Sequence, residues 1–209
     1  MSFAVTNSTN LPPLPLPLYS HEVIADIQIG PFGDGQIVAG LSPTIVEQLC
    51  IRSNDPTDKA LALTNDQTRF ASKESTEAWY MQGRMPFALL HTDSQDLMAI
   101  VWIGPKPLGV RPHEELVTDH TPEKSMSDPD TENWDTVSYR SYPPYRGGGF
   151  MTKYVGYILS VYQTHYPDRR LWVGINRTNS ASQALAQKLG FTPVDVRPDE
   201  TDRVVMILA

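Results

Sequence analysis

The chain has 209 residues, a net charge of −7 and a pI near 5.1. A hydrophobic content of 40% is sufficient for one substantial core. The acidic balance argues against nonspecific nucleic-acid binding, no apolar run is long enough to span a bilayer, and the single cysteine, Cys50, excludes an intrachain disulfide. With no basic and apolar signal peptide at the N-terminus, we expect a cytoplasmic protein.

The N-terminal segment is rich in proline. Residues 11–18 read Leu-Pro-Pro-Leu-Pro-Leu-Pro-Leu, a composition typical of an extended polyproline conformation. We expect residues 1–20 to form an arm that lies on its own domain or on a second copy in a homodimer. A ligand for a proline-binding domain is the alternative. Residues 21–209 are expected to form a single domain.

The first half of that domain combines strand and helix signals. Ser42 followed by Pro43 marks a helix start, and Ser72 is placed to cap a second helix. Alternating apolar residues around turn signals predict two strands before these helices and a hairpin after them. The predicted elements are strands 21–29 and 36–39, helices 43–52 and 73–82, and hairpin strands 86–91 and 97–103.

A long irregular insertion, residues 104–133, follows the hairpin. Residues 111–132 contain seven acids against two bases. Loops of this length are uncommon in compact domains and tend to be functional or disordered. If the insertion forms a wall of a substrate pocket, its charge favours a cationic amine. A solvated loop is the alternative. His113 and His120 lie here, but their spacing is too loose to indicate a metal site.

The most informative motif follows the strand predicted at 134–142. Arg146 precedes three consecutive glycines, and an amphipathic helix begins at Met151. Glycines allow the backbone to approach a ligand closely, and the free N–H groups of a helix N-terminus bind phosphate. Strand, glycine turn and helix therefore predict a pyrophosphate site.

Three phosphate-binding patterns can be compared with this turn. A P-loop would need a second glycine where this chain has Thr152, and the serine or threonine hydroxyl that binds magnesium where it has Tyr154. A dinucleotide fingerprint would also need a glycine at Thr152 and an acid at a strand end, whereas Asp168 lies in a turn. The pattern Arg/Gln-x-x-Gly-x-Gly/Ala fits residues 146–151 except at Met151.

The C-terminal part decides between these patterns. An apolar strand at 170–176 precedes Asn179-Ser180-Ala181-Ser182, which opens a short helix ended by Gly190. This order closely resembles the second half of the GCN5-related N-acetyltransferase (GNAT) superfamily over residues 134–191. The resemblance implies a mixed, mostly antiparallel α/β sheet with helices on both faces, closed by strands at 192–197 and 203–208.

The resemblance also implies acetyl-CoA as co-substrate. By position, backbone amides of the glycine turn would bind its pyrophosphate, Arg146 would add charge, and residues near Ser141 would separate from the next strand to admit the pantetheine arm. Asn179 and Ser182 would line the far end of the cofactor. The cofactor-binding residues implied are Ser141, Tyr142, Arg146, Gly147, Gly148, Gly149, Phe150, Met151, Asn179 and Ser182.

The resemblance further implies direct attack of an amine on the thioester. The amide of Tyr142 would polarise the thioester carbonyl, and Asp135 and Tyr139 are candidate bases. In many family members a tyrosine acts as the general acid that protonates the departing thiolate, and this chain has Ala186 at that position. Either Tyr154 or Ser182 would then have to supply the proton, or the thiolate would leave unassisted.

The acceptor implied is a primary amine on a small molecule or peptide. The region just before the second helix commonly lines the acceptor pocket in this family, and here it contains Asp66, Arg69 and Phe70. Trp79, Trp102 and Trp172 fit core positions. The alternative to an active transferase is an acyl-CoA-binding module of the same fold, because Ala186 and Met151 depart from the family pattern.

Overall fold

A computed structural model describes residues 5–7, 11–109, 133–194 and 202–208. Most of the acidic insertion, with His113 and His120, lies outside the described residues. The strands are β1 (Val5–Asn7), β2 (His21–Gln28), β3 (Asp34–Gly40), β4 (Met85–His91), β5 (Leu97–Pro105), β6 (Trp134–Ser141), β7 (Arg170–Asn176), β8 (Phe191–Val194) and β9 (Arg203–Leu208). The helices are α1 (Pro43–Ser53), α2 (Asp66–Arg69), α3 (Lys73–Met81), α4 (Met151–His165) and α5 (Ser180–Lys188).

The nine described strands form one sheet in the order β1-β2-β3-β4-β5-β6-β7-β9-β8. Every neighbouring pair is antiparallel except β6 and β7, which are parallel and connected through α4. A parallel pair requires a crossover connection, and the helix provides it. The predicted fold class, a mixed and mostly antiparallel sheet with helices on both faces, is confirmed.

The core has two layers because strand residues alternate between the sheet faces. One face carries Ile37, Phe87 and Val101, which pack against α4 through residues such as Ile158. The opposite face packs against α1 and α3, with Leu49 among the contacts. Helices therefore cover both faces, and the edge where β6 and β7 separate lies between the two layers.

Local signals placed most elements correctly. Ser42 accepts a hydrogen bond from the amide of Ile45 at 3.2 Å and caps α1. Ser72 caps α3 in a capping box with Ser75. The hairpin of β4 and β5 forms as predicted. The strand predicted at 192–197 begins at Phe191 and is described to Val194. Two short elements, β1 and α2, have no sequence prediction.

The proline-rich segment lies on its own domain over the described residues 11–20. Leu16 is buried in the core, and its carbonyl accepts a hydrogen bond from the hydroxyl of Tyr80. The hydroxyl of Tyr166 donates to the carbonyl of Leu14 at 2.7 Å. Among the described helices, none has both the length and the apolar character that a membrane crossing requires.

Candidate active site

The candidate site lies where β6 and β7 separate. The two strands pair only at their start, from Trp134 opposite Arg170 to Thr136 opposite Trp172. β6 then continues to Ser141 without further pairing on that side. This predicted divergence is confirmed. It opens the sheet at the carboxyl ends of the strands, the position where α/β sheets bind ligands.

The N–H and C=O groups of the even-numbered residues of β6 point toward β5. The amide of Tyr142 donates to the carbonyl of Met98 at 2.9 Å, and the amide of Lys106 donates to the carbonyl of Trp134 at 3.0 Å. The N–H group of Tyr142 is therefore hydrogen-bonded within the sheet and is not available to a ligand. This corrects the sequence-based expectation that it would polarise a thioester carbonyl.

The N–H and C=O groups of the odd-numbered residues in this region point toward β7. The amide of Arg170 donates to the carbonyl of Asn133 at 2.9 Å, as the parallel ladder requires. Peptide groups alternate along a strand, so the N–H groups of Tyr139 and Ser141 point into the opening where β7 has diverged. These two groups take the place of Tyr142 as candidate oxyanion donors.

The side chain of Tyr142 belongs to the core. It is fully buried, its hydroxyl has no hydrogen-bond partner among the described residues, and burial raises the pKa of Tyr142 well above its ordinary value. The guanidinium carbons of Arg52 and Arg140 lie 5.4 and 5.3 Å from the centre of the ring. Tyr142 therefore anchors the end of β6 and does not face the opening.

The glycine turn has an open side and a packed side. Gly147 and Gly149 are exposed and have φ angles of 83° and 73°, a region that favours glycine. A Cβ atom on Gly147 would meet nothing within 4 Å, whereas one on Gly148 would lie 2.1 Å from the ring of Phe32. The open side leaves room for a ligand to approach the backbone.

Helix α4 begins directly after this turn. Its N-cap residue is Phe150, and no side chain caps the helix. The first N–H groups of an α-helix have no partner within the helix, and the helix dipole makes this end positive. The amides from Gly149 to Thr152 are therefore a candidate anion site beside the opening.

Arg146 is engaged elsewhere. Its two terminal nitrogens donate to the carboxylate of Asp58, both at 2.7 Å, and Nε donates to the carbonyl of Ser141 at 3.3 Å. The expectation that Arg146 offers an uncompensated charge to pyrophosphate is thus corrected: Asp58 already balances this charge. Arg146 instead fixes the glycine turn against the segment that precedes α2.

Arg140 extends this network. Its guanidinium donates to Asp58 and to Asp66, both at 2.6 Å. Burial is the largest single effect and lowers the pKa of Arg140, but the charges of Asp66 and Tyr142 and the hydrogen bonds to Asp66 and Asp58 together raise it. Asp58 therefore accepts from two arginines, one on β6 and one on the glycine turn, and links the segment 58–66 to both.

Asp135 does not line the opening. It is buried, its carboxylate accepts from Nε of Arg169 at 2.8 Å, and the hydroxyl of Tyr162 donates to it at 2.5 Å. The prediction of Asp135 as a base is corrected, because an arginine and a phenol already occupy its carboxylate. Its role is to join β6 to α4 and the turn before β7.

Asp135→Asn should lower the free energy of unfolding by about 3 kcal/mol, because removing one partner of a buried ion pair leaves the other uncompensated. Urea unfolding measures this change. Asp168→Asn, at an exposed position in the same turn, is the matched control and should have little effect. A variant as stable as the wild type but without activity would restore Asp135 as the base.

Tyr139 bridges β6 and α5. Its hydroxyl donates to the carbonyl of Ser182 at 2.8 Å, and burial raises the pKa of Tyr139. At neutral pH the phenol keeps its proton, so it is a poor base. Tyr154 is equally committed, since it is fully buried and its hydroxyl donates to the carbonyl of Phe87 at 2.5 Å.

The start of α5 is organised by Asn179. Its side-chain oxygen accepts from the amide of Ser182 at 3.1 Å, so Asn179 caps the helix. Both residues also line the pocket described next. Ala186, one turn further on, is fully buried in the core. Helix α5 thus directs no tyrosine toward the opening.

A pocket of about 120 Å³ lies on the sheet face that α1 and α3 cover, next to the opening. The segment before α3 forms one wall, including Asp66, Arg69 and Phe70, the three residues that the family resemblance indicated. Three tryptophans predicted as core, Trp79, Trp102 and Trp172, are buried and also line it. Sequence reasoning missed this because a lining position and a core position have the same apolar pattern.

The described structure has the architecture of an acyltransferase domain, with a mixed sheet that opens between two parallel strands beside a helix N-terminus. A family model described as "Acetyltransferase (GNAT) domain" matches residues 48–192. The chain therefore belongs to the GNAT family of acetyltransferases. A comparison with curated protein sequences finds no match.

Solved structures with this fold are distant in sequence. The GNAT domain of S. lividans PAT has 15% identity and a TM-score of 0.55, covering 84% of this chain and 90% of that one. Ribosomal-protein-S5-alanine acetyltransferase from Vibrio fischeri has 12% identity and a TM-score of 0.54, covering 82% and 91%. Spermidine N-acetyltransferase from Vibrio cholerae, in complex with CoA and spermine, has 12% identity and a TM-score of 0.55, covering 82% and 95%.

Proposed function

We propose that this protein transfers an acetyl group from acetyl-CoA to a primary amine, by direct attack in a ternary complex. The observation that carries this proposal is the opening between β6 and β7 beside the uncapped N-terminus of α4. Membership of the GNAT family supports acyl transfer in general. The acyl donor, the acceptor and the residue roles given below are part of the proposal.

The residues present fit acetyl-CoA. The amides of Gly147, Gly148, Gly149, Phe150 and Met151 would hold its pyrophosphate at the positive end of α4. The open space beside Gly147 would accept the phosphates, because a Cβ atom there would meet nothing within 4 Å. Ser141, Asn179 and Ser182 flank the opening through which the pantetheine arm would pass. When bound, acetyl-CoA supplies an activated acetyl group.

The N–H groups of Tyr139 and Ser141 are placed to bind the oxygen that becomes negative during acyl transfer. A fixed backbone donor of this kind contributes about 3–4 kcal/mol to transition-state stabilisation. The acceptor nitrogen would approach from the pocket, on the sheet face opposite α4. It forms the new C–N bond as the C–S bond breaks, and its proton leaves to water while the thiolate takes one up.

Acid–base assistance is the weakest part of this site. In the described part of the chain, Asp66 is the only carboxylate that lines the pocket, and it accepts from Arg140. This observation, together with buried Ala186, favours a second candidate function: an acyl-CoA-binding module that does not turn over. Both candidates predict acetyl-CoA binding, and only the transferase predicts release of free CoA when an amine is present.

Thr152→Glu tests the cofactor site. A carboxylate in the first turn of α4 suits the helix dipole, so the free protein should be as stable as the wild type. The same charge would repel pyrophosphate. Acetyl-CoA at 100 times its dissociation constant should stabilise the wild type by about 2.7 kcal/mol and leave the variant unchanged. Thermal unfolding with and without acetyl-CoA measures both effects.

Gln163→Glu is the matched control, since it adds the same charge at an exposed position near the other end of α4. It should retain the full stabilisation by acetyl-CoA. Equal stabilisation of the wild type and Thr152→Glu would contradict the assignment of the α4 N-terminus. A stabilised wild type that releases no CoA with any amine would favour the binding module over the transferase.

A further inference from the structure

The end of β6 is held by a side chain at the point where the strand has lost its neighbour. In the described sheet, β6 pairs with β7 only from Trp134 to Thr136. Backbone groups beyond such a point need another hydrogen-bond partner or solvent. The carbonyl of Ser141, the last residue of β6, accepts from Nε and Nη2 of Arg146 at 3.3 and 3.1 Å. The guanidinium group therefore lies where a strand would otherwise continue the ladder.

Asp58 orients this guanidinium group. Nη1 and Nη2 of Arg146 donate to the two carboxylate oxygens of Asp58, each at 2.7 Å. Two parallel hydrogen bonds fix the plane of the guanidinium as well as its position. The Asp58 carboxylate also accepts from the amide of Ala60 at 3.0 Å and from Nη2 of Arg140 at 2.6 Å, so it cannot turn freely. Arg146 is thus held in one orientation although its side chain is 36% exposed.

The peptide group between Ser141 and Tyr142 is consequently held from both sides. Its N–H donates to the carbonyl of Met98 on β5 at 2.9 Å, and its C=O accepts from Arg146. Without Arg146, only the β5 side would hold this peptide, and the carbonyl oxygen would face the opening as a free acceptor that repels another carbonyl oxygen. The N–H group of Ser141 points into the same opening, so its direction depends on how firmly this backbone is fixed. A misplacement of about 1 Å in an active site can cost about 100-fold in rate.

Arg146 contributes geometry to this arrangement more than charge. Asp58 balances its charge, and the candidate anion site at the start of α4 consists of backbone amides. A lysine at the same position would provide an equal charge, but its compact ammonium lacks the planar fork that contacts a carboxylate and a carbonyl together. Replacing Arg146 by lysine therefore separates the effect of geometry from the effect of charge.

We propose that Arg146, oriented by Asp58, is a positioning residue that fixes the backbone of Ser141, so that the N–H groups of Tyr139 and Ser141 are directed at the thioester carbonyl of bound acetyl-CoA. The inference rests on the proposed function, which it extends by assigning a role to the ion pair of Asp58 and Arg146. Arg146 acts through the Ser141 backbone. The polarisation of the thioester carbonyl should therefore depend on Arg146, whereas the affinity for the rest of the cofactor should not.

The test is infrared difference spectroscopy of acetyl-CoA that is isotopically labelled at the thioester carbonyl. Hydrogen bonds from N–H donors lower the stretching frequency of a carbonyl, so binding to the wild type should move this band to lower frequency. Arg146→Lys should lose at least half of that downshift, because the donors are no longer held in place. Its dissociation constant for CoA, which lacks the thioester carbonyl, should stay within about threefold of the wild type. This second measurement also verifies that the variant is folded.

Arg52→Lys is the matched control. Arg52 donates to the carbonyl of Pro143 at 2.9 Å and lies 3.9 Å from Asp96, so it makes the same kinds of contact just beyond the end of β6. This variant should retain the full downshift. Asp58→Asn leaves Arg146 in place but removes the charge that orients it, and it should lose the downshift as Arg146→Lys does.

Three results would overturn the inference. The first is an equal downshift in the wild type and Arg146→Lys. The second is an equal loss in Arg52→Lys, which would show that any disturbance of the loop has this effect. The third is a large loss of CoA affinity in Arg146→Lys, which would make Arg146 a cofactor contact.

A parallel assay of CoA release with a panel of primary amines separates this inference from the proposed function. A downshift that depends on Arg146, without CoA release from any amine, supports the inference, and acetyl transfer then fails alone. CoA release together with a downshift that does not depend on Arg146 overturns the inference and leaves acetyl transfer in place. A wild type that binds no acetyl-CoA overturns both.

Discussion

Replacing Asp58 by alanine should lower the free energy of unfolding by about 3 kcal/mol, because the change leaves two arginines without their shared partner. The Asp58 side chain is 2% exposed and accepts from Arg140 and Arg146 at 2.6–2.7 Å. Arg140 retains Asp66, which keeps the loss at the lower end of the usual range. Urea unfolding at neutral pH measures the difference. Asp93→Ala, at an exposed position, should change it little.

The same residue should affect the acid stability of the protein. Hydrogen bonds from Arg146 outweigh the effect of burial and hold the pKa of Asp58 well below its ordinary value. A depressed folded-state pKa gives stability that is present above the unfolded pKa of about 4 and is lost as the pH falls toward the folded value. The wild type should therefore lose more stability than Asp58→Ala on acidification below about pH 5. Parallel acid profiles would contradict this account.

The strand, glycine turn and helix start that we propose as the cofactor site could be predicted as structural elements because they are contiguous in sequence. A strand, a glycine turn and the first turn of α4 follow one another within residues 134–152, so local propensity and the glycine pattern specify them together. The N-caps Ser42 and Ser72 were predictable for the same reason, since a cap depends on residues three positions away. Where the interacting residues are close together in the sequence, the sequence pattern indicates their interaction.

Which candidate side chains are available for catalysis could not be predicted, because availability depends on partners that are distant in sequence. Asp135 and Arg169 are 34 positions apart, and Asp58 and Arg146 are 88 apart. No sequence pattern shows that these side chains meet, so Asp135 has the sequence signature of an available base. The register between β6 and β5 determines which N–H groups of β6 point away from β5. The alternation of side chains along β6 alone does not define that register.

The pocket proposed for the acceptor illustrates a different limit. Its walls come from α3, β5 and β7, and its aromatic residues have the burial and spacing of ordinary core positions. What distinguishes Trp79 and Trp102 is the absence of a partner for each indole N–H, which depends on every atom around it. Such an absence is visible only after the fold has brought the segments together.

Gly148→Ala should weaken acetyl-CoA binding by about tenfold and destabilise the fold by about 1–3 kcal/mol, because the added methyl group overpacks the turn. Its Cβ atom would lie 2.1 Å from the ring of Phe32. That ring makes edge contacts with Tyr145 and Phe150, at centroid distances of 5.6 and 6.2 Å. Moving Phe32 would therefore shift the N-cap of α4 and the amides that we propose to hold pyrophosphate.

Phe32→Ala combined with Gly148→Ala should recover part of the lost affinity, since the smaller side chain removes the clash. We expect a coupling free energy of about 1–2 kcal/mol between the two positions in a double-mutant cycle of acetyl-CoA binding. Gly147→Ala is the matched control: it strains a positive φ, but its Cβ atom meets nothing within 4 Å, so Phe32→Ala should not rescue it. Additive effects of Gly148→Ala and Phe32→Ala would show that the turn between β2 and β3 does not support the cofactor loop.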